Sequence, residues 1–132
     1  MTFEKIQVGL KNSVESVVTE EDTALQVGSG SLKVLATPKM IALIEKAAAD
    51  LLEKNLPQEY TSVGTALNVK HTAPTPVGMK IFSTAEISQV DGRKIIFQVT
   101  AHDDAGEIGS VTHERFIVGR EKFQTKADNN KT

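Results

Sequence analysis

Glu45, His71 and Thr37 are the residues of this chain whose type and setting point to chemistry. On a helix, the neighbours of Glu45 at three and four positions are Ile41, Ala42, Ala48 and Ala49, all apolar. A carboxylate on or beside a buried stripe is costly to keep charged without a partner. Such a group suits a general base or a nucleophile. The plain alternative is a glutamate at the stripe's edge that reaches water or pairs with a lysine. His71 closes an alternating run just before Pro74 and Pro76. An imidazole there can move a proton or hold a hydrogen bond, or be satisfied by backbone groups alone. Thr37 precedes Pro38. Its hydroxyl fits an N-cap, at a helix start whose amides can also face a developing anion.

His102 and His113 complete the histidines. With His71 they give no H-x-H or H-x3-H spacing, so no metal site is expected. His102 reads as a residue flanking a turn. In His113-Glu114-Arg115, strand alternation puts His113 and Arg115 on one face and Glu114 on the other. The expectation is a cross-strand ion network on the sheet surface, with a carboxylate or phosphate as the alternative partner of Arg115. No Gly-x-Ser-x-Gly elbow and no phosphate-binding loop is present, and Gly28-Ser29-Gly30 alone does not make a dinucleotide site. No cofactor is expected. The absence of cysteine excludes thiol nucleophiles and disulfides.

The elements that must position these residues follow from pattern. The 132 residues are 39% hydrophobic and 24% charged, the composition of one globular domain. We expect that domain over residues 1–123, with a flexible tail over 124–132. Fifteen positive and 17 negative side chains leave no basic excess for nucleic acid. No apolar run approaches the roughly 20 residues of a membrane helix. Met1-Thr2-Phe3-Glu4-Lys5 lacks a basic stretch leading into an apolar one, so a cytoplasmic protein is expected.

Val14, Val17 and Val18 suggest a strand around 10–19, and the glycine-serine stretch within 23–36 a flexible loop. Met40, Ile41, Leu43, Ile44, Ala47, Ala48, Leu51 and Leu52 recur at helical spacing and predict a mostly enclosed helix over 37–55. Val63, Thr65, Leu67, Val69 and His71 alternate as one face of a strand. After a proline turn, Lys80–Val90, a strand with core face Ile95, Phe97, Val99 and Ala101, and Glu107–Val118 follow, the first two joined by Asp91-Gly92. One apolar helix with five strands, four of them in series, predicts an α+β layer fold with the helix packed on an antiparallel sheet.

Several of these stretches occur together in a known family. Ala36-Thr37-Pro38-Lys39-Met40-Ile41-Ala42-Leu43-Ile44-Glu45, Ser62-Val63-Gly64-Thr65, His71-Thr72-Ala73-Pro74-Thr75-Pro76-Val77-Gly78, Asp91-Gly92-Arg93 and His113-Glu114-Arg115 resemble the hotdog-fold thioesterases of the fluoroacetyl-CoA thioesterase type. The resemblance spans about residues 10–123. It implies a long helix wrapped by an antiparallel sheet, a homodimer, and hydrolysis of acyl-CoA to free acid and coenzyme A. It places the catalytic threonine, glutamate and histidine on Thr37, Glu45 and His71, and substrate contacts on Gly64 and Arg115. The aromatic lid of the member specialised for fluoroacetyl-CoA has no counterpart, since residues 20–36 contain no aromatic residue, and Val111 replaces a glycine. A non-catalytic acyl-CoA-binding protein is the alternative. Lys70, Lys80, Arg93, Lys94 and Arg120 are candidates for coenzyme A phosphates, though each reads first as solvated surface.

Thr37 and Glu45 lie eight residues apart on one helix, about 12 Å of axial rise. They cannot bond directly within one chain. His71 must therefore contact only one of them, or water or a neighbouring subunit must complete the site.

Overall fold

In the computed structural model, which describes residues 3–130, five strands form one antiparallel sheet in the order β1-β3-β4-β5-β2. The strands are β1 (Lys11–Val17), β2 (Tyr60–His71), β3 (Lys80–Asp91), β4 (Lys94–Asp103) and β5 (Gly106–Gly119). A short helix α1 (Ala24–Val27), the long helix α2 (Thr37–Asn55) and a terminal helix α3 (Arg120–Asn130) complete the elements. The α+β arrangement, one long helix laid on the sheet, is the one the sequence pattern predicts.

Helix α2 buries Met40, Leu43, Ile44, Ala47, Ala48, Leu51 and Leu52. This stripe meets Ile81, Ala85 and Ile87 of β3, Ile95, Phe97, Val99 and Ala101 of β4, and Val111 and Ile117 of β5 in one core cluster. Burial of that apolar area is the main driving force for docking the helix. The helix starts one residue earlier than a Thr37 cap requires. Ala36 is the N-cap and gives no side-chain bond, so the Thr37 hydroxyl is not used as a cap. The Lys39 and Met40 amides bond the Ala36 carbonyl instead.

The loop expected over 23–36 is built. Thr23, fully buried, accepts the Gln26 amide and opens α1, and Gly28 closes it at φ +86°. Bonds from Ala36 N–H to the Asp22 carbonyl and from Leu35 N–H to the Thr75 carbonyl tie the segment to the helix start and to the proline turn. That turn is tied in its own right, since buried Thr75 donates to Asp103 Oδ2 at 2.8 Å. Burial pulls the Asp103 pKa up, but the Thr75 hydroxyl and the Ala105 and Gly106 amides outweigh it and hold the carboxyl below its usual range.

Two turn and strand details differ from the sequence reading. Asp91 pairs with Lys94, so the two-residue loop is Gly92-Arg93, with Gly92 at φ +62°. In β2 the register shifts between Gly64 and Ala66. One extra residue at Thr65 flips the alternation. Leu67, opposite buried His113, keeps the helix-facing side expected of it, whereas Thr65 turns away and bonds the Glu114 carboxylate. Residues 124–130, expected as a loose tail, are helical and exposed, while Lys131 and Thr132 lie outside the described residues.

Gly109 of β5 lies beneath the Met40 side chain of the helix start and against the backbone of β2. A Cβ there would sit 2.7 Å from Met40 Sδ and 2.8 Å from the Lys70 carbonyl. A backbone carbonyl cannot step aside cheaply, so Gly109→Ala is expected to cost about 1–3 kcal/mol. Thermal and urea unfolding of the variant measure this, and an unchanged midpoint would show that the helix start does not need this contact.

Candidate active site

The helix start and the end of β2 meet at Thr37 and His71. Thr37 Oγ1 lies 2.8 Å from His71 Nδ1. His71 Nε2 is buried and has no partner among the described residues. Burial pushes the His71 pKa below the usual histidine value, against the backbone of Ala73, so the ring is neutral at pH 7. A cleft of about 380 Å³ opens beside the pair, between the Thr72–Pro74 turn and Ala24, Ser29, Val34 and Leu35. A neutral imidazole with one nitrogen held and the other unpaired is equipped to accept or relay a proton.

Glu45 belongs to a second cluster, two helical turns on. Its Oε2 lies 3.2 Å from Arg115 Nη1 and 3.9 Å from His113 Nε2. The side chain is 38% exposed, whereas His113 and Arg115 are buried. The partner is thus an arginine from β5, neither water alone nor a lysine. Burial lowers the Arg115 pKa and the Glu45 carboxylate opposes it. The guanidinium stays charged. It also donates from Nε to Ser62 Oγ and from Nη2 to the Ser62 carbonyl.

The cluster on the sheet surface expected for His113 and Arg115 is therefore a correction. Alternation put the two on a common face, but that face looks at the helix. Val111 and Ile117 lie on the same parity of β5 and are buried, which marks it as the core side. Ser62 was missed because a serine in an alternating strand carries no signal of its own. His102 stacks on Phe82 at 5.3 Å, an aromatic contact its sequence position did not suggest.

Gly64 sits between the two parts. A Cβ on it would lie 2.5 Å from Glu45 Oε2, 3.2 Å from His113 Cε1 and 3.3 Å from Arg115 Nη1. Only glycine leaves the carboxylate uncovered. Among the phosphate candidates, Lys80 pairs with Glu15 and Arg120 bonds Glu53. Arg93 lies over the Phe3 and Tyr60 rings. Glu53 is about 24 Å along the helix from Thr37, so Arg120 serves the far end of the fold. Lys70 adjoins His71 in sequence and is exposed.

The fluoroacetyl-CoA-specific thioesterase family matches residues 18–121. The fluoroacetyl-CoA thioesterase of Streptantibioticus cattleyicolor is 44% identical over 94 residues, covering 71% of this chain and 68% of that protein. A solved structure of a fluoroacetyl-CoA thioesterase point mutant in complex with acetyl-CoA is 34% identical with a TM-score of 0.90, covering 96% of this chain and all of that one. A hot-dog-like protein from Thermanaerovibrio acidaminovorans is 22% identical with a TM-score of 0.89, covering 100% of this chain and 98% of that one. The architecture is the hotdog fold.

Two histidines of the site are neutral in the fold. Burial lowers His113 as well, helped by Arg115 and opposed by the Ala66 carbonyl, Glu45 and Glu114. The unfolded chain binds these protons more readily. Their contribution to stability is therefore complete above the unfolded value of about 6.5 and is lost progressively below it, as pH falls through the lowered folded values. Ring-proton NMR titration is expected to show His71 and His113 charging below that value, with thermal stability lower at pH 5 than at pH 7. A ring that charges at or above about 6.5 would contradict the assignment.

Proposed function

The chain belongs to the fluoroacetyl-CoA-specific thioesterase family and is a thioester hydrolase acting on acyl-CoA, and on that premise we propose that Thr37, Glu45 and His71 carry the reaction. The Thr37–His71 hydrogen bond beside the cleft is the observation that carries this reading. Glu45 acts as general base toward water or as the attacking carboxylate. In the first route water adds to the thioester carbon, its proton passes to Glu45, and the C–S bond breaks to release coenzyme A thiolate. In the second, the Glu45 carboxylate adds to the thioester carbon, the C–S bond breaks to release coenzyme A thiolate, and water opens the resulting acyl anhydride to the free acid and Glu45. His71 moves the proton, and Thr37 holds and polarises it.

At the helix start Pro38 has no N–H, and the Lys39 and Met40 amides already bond Ala36. The donor left there for an oxyanion is the Thr37 amide, and the Thr37 hydroxyl hydrogen joins it only when His71 Nδ1 donates to Oγ1. Gly64 leaves room for the acyl group against Glu45. Arg115 has one Nη2 hydrogen left after its bonds to Ser62, Glu45 and His113. Its main task is to hold the carboxylate, and that hydrogen is its remaining contact for substrate. No aromatic residue lies within 20–36, so the cleft has no aromatic cover from that segment and acyl groups larger than fluoroacetyl should enter.

The two halves of the site require a homodimer. Strand β2 is an edge, and Gly64–Asn68 are exposed along it. Two copies pairing antiparallel through this edge, centred near Leu67, bring Gly64 and Glu45 of one protomer toward His71 of the partner subunit. Each site then takes Glu45 from one chain and the Thr37–His71 pair from the other.

Thiol release from short, branched and aromatic acyl-CoAs tests the reaction. Glu45→Gln and His71→Ala are each expected to lower kcat by at least about 100-fold. Binding without thiol release across the panel would favour the acyl-CoA-binding alternative. Mixing Glu45→Gln and His71→Ala chains, unfolded and refolded together, tests the shared site. Recovery to about a quarter of the native rate is expected, since half the dimers are mixed and each holds one intact site. No recovery in a confirmed mixed dimer would place each site within one chain.

A further inference from the structure

We propose that His113 is a positioning residue, a neutral imidazole protonated on Nδ1 that holds the Arg115 guanidinium and through it the carboxylate of Glu45. The assignment of protons follows from the partners. Nδ1 lies 2.9 Å from the Ala66 carbonyl, which can only accept. Nδ1 therefore carries the hydrogen. Nε2 lies 3.2 Å from Arg115 Nη1, which can only donate. Nε2 therefore presents its lone pair. One Nη1 hydrogen goes to His113 and the other to Glu45, so the two acceptors between them fix the rotation of that end of the guanidinium.

The ring has little freedom to do anything else. It is fully buried, tilted against Phe97 with centroids 6.2 Å apart, and its Cε1 lies under Gly64. The charged groups facing it are Glu45 from α2 and Arg115 and Glu114 from its own strand. The Ala66 carbonyl it holds is the first residue past the register shift in β2. The imidazole thus links the irregular stretch of the edge strand to the charge pair behind it. A second proton on Nε2 would set two donors, both positive, 3.2 Å apart, which the geometry forbids while Arg115 stays in place.

The inference rests on Glu45 being catalytic, and the test separates the two claims. His113→Asn retains a donor where Nδ1 was, toward the Ala66 carbonyl, and removes the acceptor for Arg115. His113→Gln offers an amide oxygen near the Nε2 position. Steady-state kinetics across pH, with thermal unfolding of each variant, are the measurements. His113→Asn is expected to lose some stability, because one Nη1 hydrogen of buried Arg115 is left without its acceptor, and to lose about ten- to a hundred-fold in kcat with little change in KM. His113→Gln should recover most of kcat even if it is less stable. Native kinetics in His113→Asn, or kcat losses in both variants that track their loss of stability, would overturn the inference while Glu45→Gln is inactive. Full activity in Glu45→Gln would overturn the catalytic reading and this inference with it.

Discussion

Helix α2 rests on the sheet at two places where the sheet has no Cβ. Met40 lies over Gly109 and Glu45 over Gly64. These contacts are five residues apart on the helix, a little over one turn, and they mark where the helix's side chains come down onto the strands. A rigid rod seated at two points carries its side chains to fixed positions. One point puts Thr37 within bonding distance of His71, and the other puts the Glu45 carboxylate beside Arg115. A methyl group at Gly64 would displace the Glu45 carboxylate, and one at Gly109 would press on Met40 and on the Lys70 carbonyl next to His71. The apolar stripe supplies the energy of docking, and the glycines supply its accuracy.

The buried cation is the second constraint. A guanidinium in a core costs several kcal/mol in lost hydration unless its hydrogens are matched. Arg115 meets this with four donations, to Ser62 Oγ, the Ser62 carbonyl, Glu45 and His113. Two of the four acceptors belong to Ser62 of the neighbouring strand β2, so the cation is anchored to the sheet before it meets the helix. A carboxylate attached to such an anchor loses rotamer freedom that a solvated glutamate would keep. The orientation of Glu45 is therefore a property of β5 and β2 as much as of its own helix.

Much of this was readable in the sequence. The helix over 37–55 emerged at its observed bounds because eight apolar residues share one period, and the succession of strands along the chain followed from turn residues, whereas the pairing of β2 with β5 and not with β3 has no local signal. The resemblance supplied Thr37, Glu45, His71, Gly64 and Arg115 as a set. What could not be read is informative. The bulge at Thr65 has no residue signature, since any side chain tolerates it, and it reversed the face expected for Thr65. The face of His113 and Arg115 was misjudged because two polar residues outweighed Val111 and Ile117 on the same parity. Thr37 was read as a cap because threonine before proline is a common start, whereas Ala36 takes that position and frees the hydroxyl for His71. Each error comes from local preference giving way to a long-range contact.

Separation along the helix explains why an open edge matters. No rotamer of Glu45 spans about 12 Å of helix to reach Thr37, and the helix is too firmly seated to bend. Within one protomer the carboxylate and the imidazole are therefore independent units, the first held by Arg115 and the second held by Thr37 at Nδ1 with Nε2 unpartnered among the described residues. They become one site only if something outside the chain lies against both. Strand β2 carries Gly64 at one end and His71 at the other, and between them Leu67 is 39% exposed on the helix-facing side of an unpaired edge. An edge with an apolar residue on it is a surface that invites pairing. In the pairing proposed here, the association that covers Leu67 is the same one that brings a carboxylate to an imidazole, so that assembly and catalytic competence have a single structural cause.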